Sequence, residues 1–124
     1  MQRFNSYISE ATKLIEDYKG KVPFSVYTKA YFSQNKKFGS TDRRTINNFC
    51  YYFFRVGHAV SGPINDVIIA GIFLCENEES SILEHFNPAF NNSITKSTLD
   101  KLKILNIEPE SIFPYSSYIS KDID

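Results

Sequence analysis

The chain has 124 residues, the size of one domain able to bury roughly two-thirds of its unfolded surface. A hydrophobic fraction of 42% and an aromatic fraction of 15%, all Tyr and Phe, exclude a disordered chain. A formal net charge of zero excludes a global field that steers the whole protein to nucleic acid or to a membrane.

The charge is uneven along the chain. Residues 24–58 hold Lys29, Lys36, Lys37, Arg43, Arg44 and Arg55 against Asp42, a local charge of +5. The remainder holds eight cations and thirteen acids, or −5.

The first predicted element is an amphipathic helix. Phe4, Tyr7, Ile8, Ala11, Leu14, Ile15 and Tyr18 recur at helical spacing, with Glu10, Lys13, Glu16 and Asp17 between them. Gly20 ends it, because glycine tolerates a left-handed cap. Pro23 suits the first turn of a second helix, where its missing amide hydrogen has no helical partner anyway. Phe24, Tyr27, Ala30 and Tyr31 form the apolar stripe of that helix, and Gly39 closes the turn after it.

A third helix starts with Ser40 as N-cap and with Thr41 and Asp42 in its first turn. Phe49–Phe54 has strong β-propensity, yet Ile46, Phe49, Cys50, Phe53 and Val56 keep helical spacing from the capped start. Tyr51, Tyr52 and Phe54 then imply burial on more than one face. Gly57, Gly62 and Pro63 break the chain. Ile64–Cys75 is apolar almost all round and suits a central helix, followed by a hydrated acidic turn at Glu76, Asn77, Glu78 and Glu79. Two shorter helices follow near Ser81–Phe86 and Thr95–Leu105, the second capped by Thr95 or Ser97. The tail carries Pro109 and Pro114 among Ser and Tyr, lacks periodicity, and resembles a linker. The fold class is therefore all-α, a compact bundle of about five to seven short helices. A β reading rests mainly on 49–56 and 67–75.

Location follows from what is missing. MQRFNSYISEATKL has polar and charged residues where a signal peptide needs an unbroken apolar stretch. The longest apolar run, Val67–Cys75, is too short to span a bilayer. Cys50 and Cys75 each lie in an apolar run and read as buried free thiols, which suits a reducing cytoplasm. No membrane partner is expected.

Chemistry is sparse. Cys50, His58, Cys75 and His85 lack metal-ligand spacing, nothing marks either cysteine as an activated nucleophile, and neither phosphate-cradling glycine loop is present. The basic cluster is more informative. Lys36 and Lys37 at the end of one helix and Arg43 and Arg44 at the start of the next would share a corner able to neutralise several phosphates. Amide hydrogens around Thr41 to Arg43 would add an anion site at the helix start. A structural reading competes: Lys36 and Lys37 also suit a helix C-terminus, and Arg43 beside Asp42 suits an ion pair. Stacking platforms need exposed rings, so most of the aromatics read as core, leaving Tyr51 or Tyr52 as those able to face a ligand.

The stretch PFSVYTKAYFSQNKKFGSTDRRTINNFCYYFFRVG carries a family likeness. Tyr31-Phe32, a polar and basic stretch, the turn Gly39-Ser40-Thr41-Asp42-Arg43 and the aromatic helix Tyr51 to Arg55 resemble the N-terminal domain of the Sun/Fmu family, the RsmB-like RNA cytosine-C5 methyltransferases. IFPYSSYISKDID resembles the segment where such chains leave this domain. The likeness implies a NusB-like helical RNA-binding domain over residues 1–113 and the start of a linker over 114–124. It implies a non-catalytic, rRNA-recruiting role beside a methyltransferase domain in cis that would bind S-adenosylmethionine. No cofactor is expected in this chain itself, since the cofactor loop and Pro-Cys motif are not found and Cys50 and Cys75 match neither catalytic cysteine. Carried over by residue, Gly39, Ser40 and Asp42 form a structural turn and cap. Lys36, Lys37 and Arg44 are the RNA contacts, Lys29 and Arg55 flank them, and Arg43 is divided between ion pairing and phosphate contact. The competing reading is a protein-interaction module, marked by an exposed apolar patch that includes Tyr115, Tyr118 and Ile119 of the tail.

Overall fold

Helical spacing prevails over β-propensity in every aromatic stretch. The structure, a computed structural model, describes residues 3–108. Among the described residues there are seven helices and no strand: α1 Phe4–Asp17, α2 Phe24–Gln34, α3 Ser40–Val56, α4 Ile64–Cys75, α5 Ser81–Phe86, α6 Pro88–Asn92 and α7 Thr98–Leu105. The 113/114 boundary, Pro109, Pro114, Tyr115, Tyr118 and Ile119 lie outside the described residues. Length alone suggests one domain, but contacts cluster into two units, Met1–Tyr51 and Tyr52–Asp124.

In the first unit, α1 buries Ile8, Ala11, Leu14 and Ile15, α2 buries Thr28 and Phe32, and Ile46, Phe49 and Cys50 supply the buried face of α3. Tyrosine hydroxyls tie these helices together. Tyr27 donates to the Leu14 carbonyl at 3.2 Å, Tyr31 donates to Glu10, and Tyr7 donates to Asp42. Each ring thus adds apolar area on one side and satisfies a polar group on the other. The helix ends depart slightly from expectation. Helix α1 stops at Asp17 because Tyr18 is already extended (ψ 128°), and Gly20 takes its φ of +77° in the loop beyond, not at the cap. Pro23 is the N-cap of α2, one residue outside the helix.

In the second unit, α4 buries Val67, Ile68, Ala70, Gly71, Ile72 and Phe73 and packs against α5 and α7. Each large apolar side chain buried there contributes about 1.5–3 kcal/mol of transfer free energy. Phe73 stacks on Phe90 with centroids 4.4 Å apart and planes 15° apart. Helix α6 was not legible as periodicity because five residues hold barely one turn. Its start is a local signal: Asn87 accepts from the Phe90 amide at 3.1 Å, and Pro88 follows at the first helical position. Helix α7 starts at Thr98, with Ser97 rather than Thr95 as its cap, accepting from Asp100 N at 3.1 Å. It ends where Asn106 turns left-handed (φ 59°) and Ile107 N–H returns to the Leu102 carbonyl at 2.9 Å.

Candidate functional site

The expected basic corner lies in the α2–α3 connection of the first unit. Helix α2 ends at Gln34, so Lys36 and Lys37 stand in the turn after it, not in its last helical turn. Both are exposed, as are Lys29 in the middle of α2 and Arg43 and Arg44 at the start of α3. Lys37 lays its ammonium over the Phe38 ring, 5.2 Å from the centroid. Arg55 is exposed too, but it lies in the last turn of α3 within the second unit, so the first unit's corner is built without it.

The turn before α3 is closed by its own acid. The Gly39 carbonyl accepts from Arg43 N at 3.0 Å, and the Gly39 amide donates to Asp42 Oδ2 at 3.0 Å. Gly39 is therefore the N-cap, one residue earlier than the cap assigned to Ser40, and Asp42 reaches back to it as an N3 acid does. Oδ1 of Asp42 also takes the Tyr7 hydroxyl and pairs with Arg3 Nη1 at 3.9 Å. The Tyr7 hydrogen bond, then the Gly39 amide, hold the Asp42 carboxyl below its ordinary value. The same bond pushes the Tyr7 phenol up.

Two consequences correct the sequence reading. Of the amides expected to form an anion site around Thr41 to Arg43, that of Arg43 is spent on the Gly39 carbonyl, and the Asp42 carboxylate lies at the same helix start on the Gly39 amide. The ion pair expected between Arg43 and Asp42 is instead made by Arg3. Among the described residues, none of Lys29, Lys36, Lys37, Arg43, Arg44 and Arg55 has a carboxylate within 4.0 Å.

Beside this turn, Arg3, Ser6, Tyr7, Glu10, Lys37 and Phe38 line much of an open cleft of about 820 Å³. Arg3 and Tyr7 were invisible as partners of Asp42, since Tyr7 is 35 residues away and neither carries a motif. No family model, curated protein or solved structure matches this chain.

The remaining groups have structural explanations. Cys50 is buried, its thiol approaches the Ala11 carbonyl at 3.9 Å, and burial pushes its pKa up to about 12. Cys75 is also raised by burial, against the pull of the neighbouring Arg55 guanidinium. Among the described residues there is no group of three His, Cys, Asp or Glu placed to hold a metal, and no helix is long and apolar enough to cross a membrane. Lys101 is only 1% exposed. Its Nζ donates to the Glu76 carbonyl at 2.7 Å at the C-terminus of α4 and lies 5.4 Å from the Phe73 centroid. That is a helix-end cation whose burial lowers its pKa, and it explains why an ammonium is tolerated in the core.

The aromatics of α3 divide in a way the sequence did not give. Phe49 is buried, whereas Tyr51 is 55% and Phe54 46% exposed, so those two do not add a second buried face. Tyr52 is half-buried and donates its hydroxyl to Glu76.

Proposed function

We propose that this chain is a cytoplasmic, non-catalytic RNA-binding domain that recruits rRNA for an S-adenosylmethionine-dependent cytosine-C5 methyltransferase domain. The observation that carries the reading is the cluster Lys36, Lys37, Arg43 and Arg44, four exposed cations within nine residues with no carboxylate in ion-pair reach among the described residues. Cations held by protein carboxylates would have little to offer a phosphate; these are available for counterion exchange with a polyanion. The likeness of residues 20–60 to the N-terminal domain of the Sun/Fmu family supports the choice of rRNA. The alternative, a protein-docking module, is favoured by apolar exposure in the second unit, where Leu99 is 53% and Ile104 47% exposed on α7.

The test is anisotropy of a labelled rRNA fragment at about 50 and 200 mM salt. Four phosphate contacts to a single strand give a log–log salt slope of about −2.8, or about 50-fold weaker binding over that range. Reversal of Lys36, Lys37 and Arg44 to Glu should abolish most of that dependence in a protein that remains helical. Unchanged binding after the triple reversal would remove this surface from the mechanism. No binding at the lower salt would favour the docking module.

A further inference from the structure

We propose that the cleft between α1 and the turn before α3 takes one unpaired nucleotide of the bound RNA, its phosphate on Arg3 and Lys37 and a guanine edge on Glu10. This rests on the RNA-binding reading above and adds a base-reading site to it.

Arg3 at the N-cap of α1, then Ser6, Tyr7 and Glu10, follow at i, i+3, i+4 and i+7 and so share one side of the helix. With Lys37 and Phe38 they line the cleft of about 820 Å³, which lies wholly within the first unit. That volume is in the range of small-molecule sites. Its chemistry differs from that of the basic turn beside it. Arg3 and Lys37 are balanced by Glu10 and Asp42, so the cleft has no net charge to draw a polyanion as a whole. It suits a ligand with a negative group at one end and hydrogen-bond donors at the other.

Both cations can turn to a phosphate at little cost. Arg3 is exposed and 3.9 Å from Asp42, a surface pair of small worth, and Asp42 keeps Tyr7 and the Gly39 amide when Arg3 moves. Lys37 lies over the Phe38 ring, which packs edge-on against Phe32 at 5.6 Å. Glu10 accepts the Tyr31 hydroxyl, which uses one of the roughly four acceptor positions of a carboxylate. An acid facing a row of phosphates repels its ligand; an acid facing a base edge selects one. Guanine presents an imino N–H and an amino group side by side, whereas uracil presents one N–H between two carbonyl oxygens that a carboxylate repels. Arg3 and Glu10 stand about 10 Å apart along α1, a span that a nucleotide covers from phosphate to base edge and a free phosphate does not. Duplex RNA has its base edges paired and does not enter. Lys37 belongs to the basic turn and to the cleft, so a strand held by the first is brought to the second.

The experiment measures binding of the full chain to three labelled RNAs of equal phosphate count: an oligo-uridine strand, the same strand with one central guanosine, and a blunt duplex. Wild type should bind the guanosine strand roughly 5- to 150-fold more tightly than the uridine strand, the margin that one well-read base gives. Glu10→Gln should erase that margin, because glutamine still accepts from Tyr31 but turns an amide donor towards the base. Arg3→Gln should narrow it. The comparison of strands in wild type needs no variant, so a substitution that harms folding leaves the test standing. Equal wild-type affinity for the two strands would overturn the proposal while leaving the basic turn as the RNA surface, provided the Lys36, Lys37 and Arg44 reversals still weaken binding. A margin that survives Glu10→Gln, or tighter binding of the duplex than of the guanosine strand, would overturn it as well. Failure of wild type to bind any of the three would take the underlying reading down with it.

Discussion

Replacing Gly71 with Ala tests the packing of the second unit at its tightest point. A Cβ at Gly71 would stand 2.7 Å from the Tyr52 carbonyl oxygen, 2.8 Å from its Cβ and 3.1 Å from its carbonyl carbon. Ordinary contact begins at 3.4 Å, so the Tyr52 segment would have to withdraw by about 0.7 Å. The obstructing atoms are backbone and Cβ, which cannot swing aside as the end of a long side chain can. Overpacking costs about 1–3 kcal/mol, and a rigid obstacle places this case in the upper half of that range. Ala gains about 1 kcal/mol over Gly in a helix interior, leaving a net loss of about 1–2 kcal/mol. Urea unfolding followed by far-ultraviolet circular dichroism should show it, with a melting temperature lower by roughly 5–10 °C. Gly20→Ala provides a contrast: nothing lies within 4 Å of its Cβ, and its cost is confined to the φ of +77°. A Gly71→Ala protein as stable as wild type, or more stable, would refute the close approach of α4 to Tyr52.

Two further outcomes follow from the titrating groups. The Asp42 carboxyl is depressed in the folded chain, so its contribution is present above the unfolded value of about 3.8 and is lost as pH falls from there through the folded value. Urea midpoints compared at pH 7 and pH 3 should therefore fall less in Tyr7→Phe, which removes the main donor, than in wild type; an identical acid loss in both would refute the assignment. Cys50, with its pKa pushed up to about 12 and its side chain buried, should resist Ellman's reagent at pH 8 in the native protein and react fully in denaturant. Rapid native labelling of Cys50, located by mass spectrometry, would show that the α1–α3 core opens.

Much of the fold could be read because long helices repeat their apolar residues often enough to be counted. Ile64–Cys75, apolar almost all round between Pro63 and the acidic turn at Glu76, has the bounds the sequence assigns it, and the shorter Ser81–Phe86 lies where it was expected. Where one turn is all there is, as at Pro88–Asn92, only the Asn-Pro start speaks, and it is easily passed over as a loop. Aromatic density misled at Tyr51 and Phe54, because large rings suggest burial while the helix phase turns these two outward. The basic residues could be located from sequence; what their charges are doing could not. That depends on Asp42, whose partners Tyr7 and Arg3 come from another helix end, and no local pattern announces a pairing across 35 residues. Lys101 was hidden for the same reason, since the carbonyl that holds it belongs to Glu76.

The seclusion of Lys101 gives the protein a built-in reference for chemical footprinting. Acylating reagents see Lys13, Lys19, Lys21, Lys29, Lys36, Lys37, Lys96 and Lys103 on the surface, whereas the amine of Lys101 is reached only when α7 lifts from the end of α4. In one labelled sample, the adduct at Lys36 and Lys37 reports whether a ligand covers the turn before α3. The adduct at Lys101 reports whether the second unit has stayed closed during the reaction. Shielding by a partner and loss of structure, which both alter lysine labelling and are commonly confused, thereby register at different residues of the same molecule.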